Sequence, residues 1–204
     1  ISSTVVGNGQ MRTEQDGSAR SVYDVRSFGA TGDREDNATT AFRMAIDHCT
    51  SMGGGTVHVP AGEYTVGTVQ LKDNVTLNIS AGATLYLSQD RNDFVQGGRA
   101  MIFAQNARNI AVTGRGTLNG LAQYEMREMR GVDGRITKEI ELAREAGVDM
   151  RRYYRSQHAM NTYMFIVNDA TNFLLEGVSI IHSPLWTVRL NGCGRVFIRG
   201  VYLY

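Results

Sequence analysis

Residues 73–80 read DNVTLNIS, and the same pattern returns as RNIAVTGRG at 108–116, TNFLLEGVS at 171–179 and GRVFIRGVY at 194–202. Aligned on Val75, Ile110, Phe173 and Val196, each piece is a short strand-like run rich in Val, Ile, Leu and Phe. Asn74, Asn109 and Asn172 stand before the first three, and Arg195 before the fourth. Asparagine tolerates the left-handed backbone that most side chains avoid, so this position predicts a sharp corner leading into each strand. The last interval is 23 residues. The 63 residues from Ile110 to Phe173 become 23 once residues 121–160 are set aside, and the 35 from Val75 to Ile110 become 23 without residues 88–99. A constant short period means stacked units, because one such unit cannot bury its own apolar side. About three strands per unit with no crossover helix predicts an all-β solenoid, a right-handed parallel β-helix.

The rest of the chain fits that frame. Its 23 glycines against 2 prolines favour strands joined by tight turns over a helix bundle. A net charge of +1 argues against dependence on nucleic acid or on an anionic membrane surface, and no run of 18 apolar residues predicts a membrane span. The beginning, ISSTVVGNG, carries no signal-peptide pattern, which leaves export permitted. Cys49 and Cys193 lack metal-ligand spacing and read as separate thiols. Residues 1–20 read as an arm, and 21–204 as the N-terminal part of a single β-helix domain. One helix is predicted, over residues 38–51, where Ala41, Phe42, Ala45, Ile46 and Cys49 recur at helical spacing. Asp36 and Asn37 are its cap candidates, and glycines 53–55 stop it. Its task is to cover the first coil, whose strands otherwise end in unpaired backbone.

DVRSFGATGDREDNATTAFRMAID at 24–47 and GGTVHVPAGEYTVGTVQLKDNVTLNISAGATLYLS at 54–88 resemble the N-terminal part of glycoside hydrolase family 28, the polygalacturonase-like enzymes. GVSIIHSPLWTVRLNGCGRVFIRGVYLY at 177–204 resembles the coils just before that family's active site. The resemblance covers residues 22–120 and 161–204. It implies inverting hydrolysis of an acidic or rhamnose-containing plant polysaccharide by aspartates on one parallel sheet, without a cofactor, in a secreted or periplasmic protein. Inversion needs one carboxylic acid to protonate the leaving oxygen and a second carboxylate to activate water. The motifs that carry them follow a coil like 196–204, so no catalytic residue is assigned here, and missing coils or a partner are expected to cover the open end. Asp90, Asp93, Asp133 and Asp169 lie in turn-like contexts and read as turn residues.

What remains assignable is the near wall of a cleft. In WTVRL, alternation sets Trp186, Val188 and Leu190 on one face and Thr187 and Arg189 on the other. Arg189 then points outward, either as a partner for a sugar carboxylate or as a solvated surface arginine. Trp186 shares the phase of Val188, which predicts core packing, with stacking on a sugar ring as the alternative. His182 reads as a satisfied corner histidine or as a hydrogen-bond donor in the cleft. Residues 121–160, with eight basic and seven acidic side chains, read as a helical insertion growing from one corner of the stack. Where it rejoins, Arg151, Arg152, Tyr153, Tyr154, Arg155 and His158 form a basic aromatic cluster, a candidate glycan contact or a solvated hinge. Two other classes stay open, a Ca²⁺-dependent β-helix lyase and a non-catalytic, tailspike-like glycan-binding β-helix.

Overall fold

A computed structural model of the 204-residue chain describes residues 21–95, 99–122, 144, 145, 147 and 162–204. The chain opens with β1 (Val22–Asp24) and a 3₁₀ turn (Val25–Phe28), followed by the helix α1 (Thr39–Ser51). The first full coil is β2 (Gly55–Val59), β3 (Gly62–Val66) and β4 (Val69–Gln70), and the second β5 (Val75–Ile79), β6 (Ala83–Leu87) and β7 (Ala100–Gln105). Next come β8 (Arg108–Gly114), β9 (Thr117–Asn119) and β10 (Tyr163–Asn168), then β11 (Thr171–Glu176), β12 (Ser179–Ile181) and β13 (Val188–Asn191). The last strands described are β14 (Gly194–Arg199) and β15 (Tyr202–Leu203). Each coil lays one strand on each of three parallel sheets. Sheet I is β1-β2-β5-β8-β11-β14, sheet II is β3-β6-β9-β12-β15 and sheet III is β4-β7-β10-β13. This is a parallel β-helix.

The register matches the repeat residue for residue. Phe173 pairs with Ile110 on one side and Val196 on the other, and the pairing of Thr76 with Ala111 sets Val75 beside Ile110. Alternation along each strand turns one side chain in and the next out, so aligned inward residues pile into columns. Val57, Leu77, Val112 and Leu175 form one such column, all fully buried. Each contributes on the order of 1.5–3 kcal/mol by leaving water. Its next member, Ile198, is 48% exposed in the last coil.

The corner before sheet I is left-handed in every coil that carries the motif. Asn74, Asn109, Asn172 and Arg195 have φ of 61°, 55°, 60° and 54°. The asparagines bond to one another along the axis: Asn109 Nδ2 donates to Asn74 Oδ1 (2.9 Å), and Asn172 Nδ2 to Asn109 Oδ1 (2.7 Å). One coil earlier the position is Gly54 (φ 114°), where a Cβ would lie 2.5 Å from that of Asn74. Only glycine fits there.

The helix begins at Thr39, one residue later than its periodicity predicts. Its N-cap position is Ala38, and Asn37 Oδ1 instead accepts the Thr39 amide (2.9 Å). Ala41, Phe42, Ala45, Ile46 and Cys49 are its buried face, lying on the first coil, with the Phe42 and Tyr64 rings edge to face at 5.8 Å. Burial pushes the Cys49 thiol up from its ordinary value. The buried Tyr64 hydroxyl is raised in the same way, against a hydrogen bond and the charge of Arg26 that lower it.

The longer connections, 88–99, 120–162 and 182–187, all leave from one corner, between sheets II and III. In the first coil that corner is only Gly67 and Thr68. Of the helix expected in the insertion, Arg144 and Glu145 are helical and Gly147 turns left-handed (φ 63°). The remainder lies outside the described residues, as does the arm 1–20.

Candidate functional site

Sheet III presents the row Gln70, Phe103, Ile166 and Arg189 outward, one residue per coil. The inward neighbours Val69, Ile102 and Phe165 are fully buried and Val188 is half-buried, so alternation in β13 runs as the sequence indicates. Arg189 therefore projects from the sheet, with its guanidinium carbon 5.7 Å from the centroid of the Tyr163 ring. The same ring meets Trp186 edge-on, with centroids 6.0 Å apart and planes at 84°. Tyr163 thus touches both the cation and the indole.

Trp186 is not in the core, contrary to its phase with Val188: it is 63% exposed. The reason is local. Regular strand begins only at Val188, and the preceding segment bends, closed by the Thr187 hydroxyl donating to Ser183 Oγ (2.9 Å), so the two-residue period does not reach back to the indole. Leu190 keeps the core phase, pairing with the fully buried Val167, and is exposed because β13 is the edge strand of its sheet. His182 is a corner residue. Its backbone is left-handed (φ 52°), its N–H donates to the Tyr204 carbonyl (2.9 Å), and its ring packs edge-on against Tyr204 at 5.6 Å.

His158, Arg152 and Tyr154, with Arg151, Tyr153 and Arg155, lie outside the described residues, and so does Asp133. The remaining aspartates are hydrogen-bond acceptors, Asp90 within its own turn and Asp93 and Asp169 also between distant segments. Asp90 Oδ1 accepts the Asn92 amide (2.9 Å). Asp93 accepts from Asn37 Nδ2 (2.6 Å) and from the Ser88 hydroxyl. Asp169, itself left-handed, accepts from Gln105 Nε2 (3.1 Å). Among the described residues no group of three His, Cys, Asp or Glu side chains is placed to hold a metal ion.

Sequence reasoning missed Tyr163. The signal was available: Tyr163 stands one 23-residue period before Trp186, so the stack places one ring beside the other.

A parallel three-sheet coil with an N-terminal helix, an asparagine ladder and a sheet carrying an outward arginine and an exposed indole defines a β-helix of the pectin-lyase-like class. A family model described as rhamnogalacturonase A/epimerase, pectate lyase-like, matches residues 22–129, and the chain belongs to that family. Among curated relatives it is 29% identical over 118 residues to an exo-poly-alpha-D-galacturonosidase of Dickeya chrysanthemi, spanning 48% of this chain and 19% of that protein. It is 43% identical over 68 residues to the mannuronan C5-epimerase AlgE5 of Azotobacter vinelandii, 29% of this chain and 7% of that one. The structure of a hyperthermoactive exopolygalacturonase from Thermotoga maritima superposes with a TM-score of 0.69 at 23% identity, covering 90% of this chain and 47% of that one. The chain thus spans less than a fifth of the two curated relatives and about half of the solved one. Among the described residues no helix is long and apolar enough to cross a membrane.

Proposed function

We propose that these coils belong to a secreted or periplasmic hydrolase of pectin-type polysaccharide, polygalacturonase-like and inverting, in which the outer face of sheet III is the near wall of the substrate cleft. The observation that carries this reading is the Arg189–Tyr163–Trp186 cluster. It combines a guanidinium lying over a tyrosine ring with an exposed indole, which suits a sugar carrying a carboxylate: the ion pair takes the acid and the indole takes the apolar face of the ring. Tyr163 supports the guanidinium through its π face and the indole through a perpendicular ring contact. His182 stands at the neighbouring corner, while Arg152, Tyr154 and His158 belong to the proposed rim through their place in the sequence. The aspartates that protonate the leaving group and activate water are, in this reading, supplied outside the described coils.

Trp186 is the chain's single tryptophan, so its fluorescence reports on this surface alone. Titration with trigalacturonate is expected to change that emission. Arg189→Gln should weaken binding by about 1.5–3 kcal/mol, the range for a hydrogen bond to a charged group, and should affect maltotriose much less. Added salt should narrow the difference, because the guanidinium is partly exposed. Equal affinity of variant and parent for trigalacturonate would return Arg189 to a solvated role.

The identity to a mannuronan epimerase supports a second reading, in which the same acidic-sugar wall serves epimerisation or lyase chemistry. The protein carrying this chain separates the readings by product: new saturated reducing ends for hydrolysis, unsaturated ends for a lyase, and unchanged chain length for an epimerase.

A further inference from the structure

The corner between sheets I and II narrows along the axis. The row His58, Asn78, Thr113, Glu176 and Arg199 ends the outward face of sheet I, and the row Glu63, Thr84, Thr117, Ser179 and Tyr202 begins sheet II. The turns between them are residues 59–62, 79–83, 114–116, 177–178 and 200–201, that is four, five, three, two and two residues. Long turns project and two-residue turns hug the core, so the surface steps inward after the third. At the step lies an open groove of about 620 Å³, lined by Thr113, Arg115, Glu176, Gly177, Arg199 and Gly200. Arg115 is exposed, its backbone anchored by its amide on the Ile79 carbonyl (2.9 Å). Arg199 Nε is held by Glu176 Oε1 at 2.7 Å, with the arginine side chain 67% exposed. Two residues before Arg199, on the same outward face of β14, Phe197 is 63% exposed.

We propose that this groove is a second carbohydrate-binding site, which takes one uronate-bearing segment of a polysaccharide. Two guanidinium groups supply planar, paired donors for a carboxylate. Phe197 offers a face for the apolar side of a sugar ring. Glu176 both orients Arg199 and accepts from sugar hydroxyls, and its charge disfavours a dense polyanion such as a nucleic-acid backbone. The glycines at 177 and 200 keep side chains out of the floor, so a ring can approach the main chain. The choice of a uronate rests on the function proposed above; the preference for an anion rests on the groove itself.

The test is an amide chemical-shift titration of the chain with trigalacturonate, maltotriose and inorganic phosphate in turn, with Trp186 fluorescence read in parallel. Trigalacturonate is expected to move the amides of Arg115, Gly177 and Gly200, and maltotriose and phosphate to leave them in place. Arg115→Gln, which breaks no ion pair among the described residues, and the double variant with Arg199→Gln should raise the Kd read at those amides at least fivefold while the Trp186 response stays unchanged. Circular dichroism checks that both variants fold. Unmoved amides in the parent, equal Kd in the variants, or phosphate binding as tightly as the sugar acid would overturn the proposal. Shifts in the groove with a silent Trp186 would retain the groove and remove the cleft reading. A responsive Trp186 with a silent groove would do the opposite.

Discussion

Arg195 holds a left-handed backbone that asparagine occupies on the three coils before it, and it ends their ladder of side-chain amides. Arg195→Asn should extend the ladder by one bond to Asn172 and place a residue better suited to that φ, a gain of about 1 kcal/mol in urea unfolding. No change in midpoint would mean that the last rung is already satisfied by water. Cys49 gives a pH dependence with a defined sign. Its thiol is raised by burial, so the unfolded chain releases this proton first, and the stability it carries is complete below the ordinary value of 9.0 and lost as pH climbs through the folded value. The urea midpoint should therefore fall between pH 7 and an alkaline buffer, and Cys49→Ala should flatten part of that fall, with the raised Tyr64 acting in the same direction. At this scale the sequence was readable wherever backbone geometry restricts the residue type, as at Asn74, Asn109 and Asn172. It misled at Trp186, where a short bend broke the alternation.

At the scale of elements, α1 depends on one aromatic contact more than on its caps. Phe42 is fully buried against Tyr64, and Phe42→Ala should cost about 3–5 kcal/mol through lost contact and the cavity left behind. Denaturant unfolding measures this, and a cost below about 1 kcal/mol would mean that the helix does not seal the first coil. The helix was legible because five apolar residues recur at its period over thirteen positions, whereas its exact start was not, since Asn37 caps from outside the helix proper. The strands were legible in the first two coils of sheets I and II, where the five-residue runs β2, β3, β5 and β6 alternate. β4, with two residues, and β13, with four, are too short for a pattern to fix their ends. In sheet III, which carries the candidate cleft, β7 and β10 are long enough to read, and the uncertainty falls on its first and last strands.

For the whole molecule, stacking makes stability a sum of neighbour terms rather than a property of one shared nucleus. β5 and β8 are each paired on both sides and bury their inward residues, whereas β14 and β15 expose Ile198 and Leu203. Hydrogen exchange should therefore be slow over residues 75–79 and 110–114 and faster over 188–204, a gradient along the axis. Uniform protection followed by mass spectrometry would show that the coils open as one unit. The period of 23 was legible because the insertions at 88–99 and 121–160 are polar or glycine-rich interruptions between intact strands, and the register matches it. The Tyr163–Trp186 contact lies in the same period and is missed when the period is applied to the strand cores and not to the residues at their edges.

Because neighbouring strands of such a stack are set about 4.8 Å apart, the outward row Gln70, Phe103, Ile166 and Arg189 works as a ruler with one mark per coil. Gln70, Phe103 and Arg189 are partly open and Ile166 is covered, so a linear polymer lying along the axis would meet three marks at multiples of one pitch, with one mark masked. The corner between sheets II and III, where the connections already differ in length from coil to coil, is where the height of the ruler's edge can change without altering its scale.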